Sequence, residues 1–127
     1  HMPRSREKKM DDLNRSPFGA AALETTLAAV ISYMIDERVL DWPTAIDRLS
    51  TKPARIAGIE GGTLAVNAPA DIAIIDPAEP WTIDGTAFRS RCVSSPLEGH
   101  RLRGRVTHTL VGGSVRFRLR PELEHLA

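Results

Sequence analysis

After Gly61-Gly62 the spacing of apolar residues changes from steps of three and four to short alternating runs, and the helical period does not return. Side chains three and four apart share one face of an α-helix, whereas those two apart share one face of a strand. A chain patterned this way folds as helices first and strands afterwards. That is an α+β arrangement, not the regular alternation that builds a parallel sheet. Its 127 residues amount to about one ordinary domain, far short of the roughly 250 that a complete (β/α)8 barrel needs.

In the helical half, Leu23, Leu27, Val30, Ile31 and Met34 form one apolar face of a helix expected over residues 20 to 38. Asp41 stands where an N-cap belongs, with Pro43 in the first turn where a missing N–H costs nothing; Ala45, Ile46 and Leu49 then predict a second helix over 42–49. Thr51 and Pro53 repeat the device and open a third, shorter turn for Gly58 to close. Residues 1–19 are polar and of mixed charge until Ser16-Pro17-Phe18-Gly19, and read as a loop with at most one helical turn.

The second half reads as β. Residues 63–66 suggest a short strand and Asn67 a left-handed turn position; 71–76 is a nearly continuous apolar strand bounded by Pro77, and 81–84 a further extended piece. Gly112-Gly113 suits a two-residue turn of positive φ. Such a turn pairs Val111 with Ser114, Thr109 with Arg116 and Thr107 with Arg118 on a polar face. Leu110 then meets Val115, His108 meets Phe117 and Val106 meets Leu119 on an apolar one.

Composition narrows the function classes. A formal charge of +1 makes neither nucleic acid nor an anionic membrane a required partner. The longest apolar stretch, residues 20–35, is broken by Glu24, Thr25, Thr26 and Ser32, so no membrane span is expected. Arg4 and Arg6 lack the apolar run behind them that a secretion leader has. Cys92, the single cysteine, has no partner for an internal disulfide and suits a reducing cytoplasm as a small buried residue.

His1, His100, His108 and His125 are scattered, and no HxH, CxxC or HExxH occurs, so the chain is not expected to hold a metal by itself. Neither a GxGxxG nor a P-loop is present. Arg101, Arg103, Arg105, Arg116, Arg118 and Arg120 form a basic ribbon, but their alternation with Leu102, Val106, Val115, Phe117 and Leu119 describes the solvated side of a half-buried sheet. The interleaved aromatics of a single-strand nucleic-acid binder are absent. No catalytic residue emerges from these patterns.

The order of segments resembles a known family. Ser16-Pro17-Phe18-Gly19 followed by Leu23-Glu24-Thr25-Thr26-Leu27 resembles the APFG…GLET-L signature of bacterial dihydroorotases of the multifunctional-enzyme branch, within the amidohydrolase superfamily. Leu49 to Gly58 resembles the LSTNPARILGL helix of those enzymes, with Lys52 in place of Asn. Gly62-Thr63-Leu64-Ala65 with Ala70 to Pro77 resembles their GTLAPGADADLVIFDP strand pair, with Val66-Asn67 replacing Pro-Gly. Ser95 to Val106 resembles TPFLGWELKGKV, with His100 for Trp. The strand pair is shared with hydantoinases and allantoinases, whereas the combination of Glu7-Lys8-Lys9, Pro17-Phe18-Gly19 and Leu23-Glu24-Thr25 is more specific.

The resemblance implies the C-terminal portion of such an enzyme: a pocket-lining loop and helix start over 1–19, the final helices of a (β/α)8 barrel over 20–58, and strands of the accessory β-sandwich over 59–127. The family reaction is the reversible cyclisation of N-carbamoyl-L-aspartate to L-dihydroorotate in pyrimidine biosynthesis, with zinc lowering the pKa of a bound water. In the family the zinc ligands and catalytic aspartate lie upstream of the Pro-Phe-Gly loop. This stretch is therefore expected to bind no zinc, to carry no catalytic residue and to be inactive alone. Phe18 and Gly19 match the loop that lines the substrate pocket and are the candidate substrate-binding residues, while Glu24, near a helix N-terminus, is expected to be structural. The Leu23, Leu27 and Val30 face would meet barrel strands in the whole enzyme; in this chain it is expected to be covered by self-association or internal repacking. Rival readings are a non-catalytic assembly partner of aspartate transcarbamoylase, part of a related hydantoinase or allantoinase, and, last, a basic-ribbon nucleic-acid binder.

Overall fold

The computed structural model describes residues 19–119. Helix α1 (Thr26–Val30) runs on as a π-helical stretch, Ile31–Ile35; α2 (Trp42–Ile46) continues through a second π stretch, Asp47–Thr51, into α3 (Lys52–Ala57). Strand β1 (Ile72–Thr82), a 3-10 turn (Gly85–Ala87), β2 (Arg101–Val111) and β3 (Ser114–Arg118) follow. The strands make one antiparallel sheet in the order β1-β2-β3. Helices precede strands, giving a small α+β unit.

The first helix turns a different side to the sheet than its large residues suggest. Leu23 is 79% exposed, whereas Ala21, Thr25, Ala28 and Ile31 are buried. These four also recur at steps of four and three, so the sequence carries two stripes. This second stripe shares Ile31 with the expected face and is otherwise made of small residues, which let the helix backbone approach β2 closely. Val30 and Met34, from the large stripe, line an apolar groove with Leu40, Ala45 and Leu49. Internal packing therefore reaches part of the expected face and leaves Leu23 open.

Helix ends follow local chemistry with one exception. The first helix stops at Ile35, short of the expected 38; Arg38 adopts a left-handed φ of 57°, and Val39 N–H donates to the Met34 carbonyl at 2.8 Å. Asp41 is extended and its Oδ1 accepts from Thr44 N–H at 2.9 Å, as its position predicts. Thr51 is the exception: it is helical, caps nothing, and donates its hydroxyl to the Gly62 carbonyl at 2.8 Å. Thus 42–57 is one continuous helical run with Pro53 inside it. Proline lacks an N–H and its ring crowds the carbonyl four residues back, and the wider π turn just before it accommodates both defects. Gly58, at φ 64°, closes α3 as expected.

Two strand expectations are corrected. Residues 63–66 are not a strand: Leu64 and Val66 are 81% and 91% exposed, and Ala65 N–H bonds locally to Thr63 Oγ1 at 3.2 Å instead of joining a ladder. Asn67 does take the left-handed conformation, at φ 69°. Pro77 does not end a strand either, for β1 absorbs both extended pieces as far as Thr82. Between the Asp76–Arg105 and Pro80–Arg103 pairs, Pro77, Ala78 and Glu79 stand opposite Gly104 alone. Asp76 Oδ1 accepts from Ala78 N–H (2.9 Å) and Glu79 N–H (3.2 Å), so this bulge is satisfied by its own side chain.

The hairpin keeps the expected Val111–Ser114 and Leu110–Val115 pairs, then slips. A bulge between Thr109 and Leu110 sets Phe117 opposite Thr109 and Arg118 opposite His108. One extra residue moves every later side chain to the other face. The core lies between α1 and the sheet: Ala28, Ile83 and Leu102, with Trp81, Phe88 and Leu97 packed around them. Ile31, fully buried, sits against Gly104 of β2. Arg103 ties the layers at the edge, pairing with Asp36 and donating from Nη1 to the Pro77 carbonyl at 2.8 Å.

Candidate functional site

Of the two candidate substrate-binding residues, Phe18 lies outside the described residues. Gly19 is exposed with a φ of 98°, a backbone state that favours glycine. What the structure shows is how the chain leaving Gly19 is held. Ala21 N–H donates to the Ser94 carbonyl at 3.0 Å, and the Glu24 carboxylate accepts from Ser90 N–H (2.9 Å) and Arg89 N–H (3.2 Å). Thr25, buried behind Glu24, satisfies its hydroxyl on the Ala22 carbonyl at 3.2 Å. The start of the first helix is thereby pinned to residues 89–94.

The residues on either side of that segment are braced. Asp84 Oδ1 accepts from Thr86 N–H at 2.8 Å, Gly85 N–H donates to Glu98 Oε2 at 2.8 Å, and Ile83 exchanges backbone bonds of 2.9 Å with Gly99 and His100. Cys92 is buried, with its thiol 3.9 Å from the Ser94 carbonyl. Glu24 was legible as structural, but its partners lie 65 and 66 residues away, where no spacing rule reaches.

Burial works against the charged form of Glu24, yet the amide bonds from Ser90 and Arg89, helped by the Ser90 hydroxyl and the Arg89 charge, outweigh it and hold the carboxyl below its ordinary value of 4.5. A folded pKa below the unfolded one means that this contribution is fully present above about pH 4.5 and lost as pH falls through the lowered value. Glu24→Gln is expected to cost about 1–3 kcal/mol at pH 7 and to flatten the acid limb of the stability curve. Urea midpoints measured from pH 7 to about pH 3 check this. Parallel curves for the two proteins would contradict it.

Beside Glu24 a cleft of about 730 Å³ opens between the first helix and the sheet, with Leu23, Leu27, Phe88, Trp81 and Phe117 on its walls. Arg89, Arg105 and Arg116 also line it. Arg105 lies over the Trp81 ring at 4.8 Å and Arg89 over the Phe117 ring at 5.1 Å. The expected basic ribbon is therefore divided: Arg103 is paired with Asp36, whereas Arg105 and Arg116 face the cleft. His100 Nδ1 sits 2.9 Å from Tyr33 Oη, and His108 Nδ1 is 3.1 Å from Thr107 Oγ1. Among the described residues no three His, Cys, Asp or Glu side chains converge as a metal would require, and no helix is long and apolar enough to cross a membrane.

Residues 14–117 match the amidohydrolase family. A Rhodopirellula baltica protein named "Putative dihydroorotase" is 54% identical over 127 residues, covering all of this chain and 28% of that protein. The "Dihydroorotase" of Caldanaerobacter subterraneus subsp. tengcongensis is 32% identical over 124 residues, covering 98% of this chain and 28% of its own. Among solved structures, the D-hydantoinase (dihydropyrimidinase) from Thermus sp. superposes with a TM-score of 0.82 at 28% identity, over 93% of this chain and 27% of that one. The L-hydantoinase from Arthrobacter aurescens gives 0.75 at 30% identity, over 82% and 24%. The chain thus spans about a quarter of the length of these proteins.

Proposed function

Because this chain belongs to the amidohydrolase family, we propose that it supplies the last barrel helices and flanking sandwich strands of a dihydroorotase, which interconverts N-carbamoyl-L-aspartate and L-dihydroorotate in the cytoplasm. The observation that carries the reading is the 54% identity to the Rhodopirellula protein along the entire chain. In the family the zinc ligands lie upstream of the Pro-Phe-Gly loop, so water activation is not assigned to these residues. Their role is positional. Gly19, with Phe18 before it in sequence, is assigned to the substrate-pocket loop, and the bonds from Ala21 and Glu24 to residues 89–94, which hold the chain that follows Gly19, support that positional role.

The hydantoinase structures favour one second reading, hydrolysis of a different cyclic amide on the same scaffold. Both are tested by combining this chain with the part of the Rhodopirellula protein that it does not match, in the presence of zinc, and assaying dihydroorotate and hydantoin side by side. Dihydroorotate turnover by the mixture, and by neither piece alone, is the expected result. Hydantoin turnover without dihydroorotate turnover would replace the first reading by the second. Turnover by this chain alone would overturn its assignment as non-catalytic.

A further inference from the structure

Both oxygens of the Glu24 carboxylate are held, and by different donors. Oε1 accepts from Ser90 N–H at 2.9 Å and Oε2 from Arg89 N–H at 3.2 Å, while the Ser90 hydroxyl bonds the same carboxylate. A carboxylate gripped at both oxygens keeps one orientation, where a single bond would let it pivot. Ala21 N–H, on the Ser94 carbonyl at 3.0 Å, adds a second tie from the same stretch to the same segment. Gly19 stands just ahead of both ties.

An anchor can position a loop only if it is itself held, and residues 89–94 are held from both ends. Arg89 lies over the ring of Phe117, on β3, at 5.1 Å. Cys92 is buried, and Gly85 packs directly on the Val93 carbonyl. Ile83 exchanges 2.9 Å backbone bonds with Gly99 and His100, just before β2 begins at Arg101. Position is thus handed from the sheet to Ser90, from Ser90 to Glu24, and from Glu24 toward Gly19.

We propose that Ser90 is a positioning residue for cyclic-amide turnover: acting through Glu24, it fixes where the loop containing Gly19 stands against the substrate ring. The inference rests on the assignment of Gly19 to the substrate-pocket loop and holds for either cyclic amide. Ser90 lies 66 residues beyond Glu24 in the chain and touches no substrate in this role. A misplacement of about 1 Å caused far from the chemistry can still lower turnover about a hundredfold, so the contact is readable in kinetics.

The test joins this chain, in place of the 28% of the Rhodopirellula protein that it matches, to the rest of that protein. With zinc present, kcat and KM are measured for dihydroorotate and for hydantoin, well below the melting transition of every variant. Ser90→Ala is expected to lower kcat/KM about tenfold, and Glu24→Gln about tenfold to a hundredfold. Ser90→Thr, which keeps the hydroxyl, is expected to stay within about twofold of the unsubstituted chain. In the Glu24→Gln background Ser90→Ala is expected to change nothing further, because both act through one contact. Arg91→Ala, at the exposed position beside Ser90, is expected to leave kcat/KM unchanged. Hydrogen exchange on the same proteins is expected to show the Ala21 amide losing protection in Ser90→Ala and Glu24→Gln but not in Arg91→Ala. A kcat/KM indifferent to Ser90→Ala and Glu24→Gln overturns the proposal and leaves the functional reading standing. So do an equal loss in Arg91→Ala, fully additive losses, or an Ala21 amide whose protection never changes. Turnover of neither cyclic amide by the unsubstituted joined chain overturns the functional reading, and the proposal with it.

Discussion

Gly85→Ala is expected to lower the unfolding free energy by about 3–5 kcal/mol, because an added Cβ there meets backbone. A Cβ at Gly85 would overlap the Val93 carbonyl oxygen, and it would also lie 2.9 Å from the Val93 carbonyl carbon and 3.1 Å from Glu98 Oε2. Two of these atoms are backbone, so no side-chain rotation relieves the clash. Room can be made only by parting the 85–87 turn from residue 93, which strains the Gly85–Glu98 bond and the neighbouring Ala21–Ser94 bond. The damage would therefore spread from the turn to the start of the first helix. Gly99→Ala is the control: φ there is 75° with nothing within 4 Å, so only conformational strain of about 1–2 kcal/mol is expected. Urea midpoints for the two variants decide it, and equal losses would show that contact with Val93 is not the cause.

Gly104→Ala is expected to cost about 2–5 kcal/mol, for a different mixture of reasons. Its φ of 94° disfavours any side chain, and the added methyl would collide with Ile31 Cδ1 while lying 3.4 Å from Cγ1. Ile31 is wholly buried, and Trp81 Nε1 donates to the Gly104 carbonyl at 3.3 Å, so neither the helix nor the strand is free to withdraw. Ile31→Val removes the colliding atom. Alone it should cost about 0.5–1.5 kcal/mol, and in the Gly104→Ala background it should be neutral or stabilising. Additive losses in that cycle would show that Ile31 is not the steric partner.

Features that were legible in the sequence are those decided within a few residues. Asp41 caps its helix with its own side chain, Gly58 and Asn67 occupy left-handed positions their chemistry permits, and Gly112-Gly113 fixes the first two pairs of the hairpin. Features that were not legible depend on what arrives from far along the chain. Ile31 is buried as its place on the apolar face predicts, but it packs on Gly104, more than 70 positions later, and that contact turns Ala28 rather than Leu23 toward the sheet. Thr51 looks like a cap until Gly62 takes its hydroxyl. Ladder bulges at Asp76–Pro80 and Thr109–Leu110 break the strict alternation from which strand faces were read. In the candidate site the same division holds. Gly19 announces a special backbone state, whereas the bonds from Glu24 to 89–90 and the stacking of Arg105 on Trp81 arise only once the sheet has formed.

The two outer strands of the sheet, among the described residues, have a consequence for how copies of this chain behave at high concentration. Unfinished sheet margins invite another strand to add, and repeated addition grows fibres. On one margin β1 carries Pro77 and Pro80 around its bulge, removing donors and breaking the flat row a newcomer would need. On the other, β3 is five residues long and sets Arg116 and Arg118 along itself, so a second β3 laid alongside would bring cation against cation. Runaway stacking is obstructed at both margins by different means, one geometric and one electrostatic, and salt would weaken only the second.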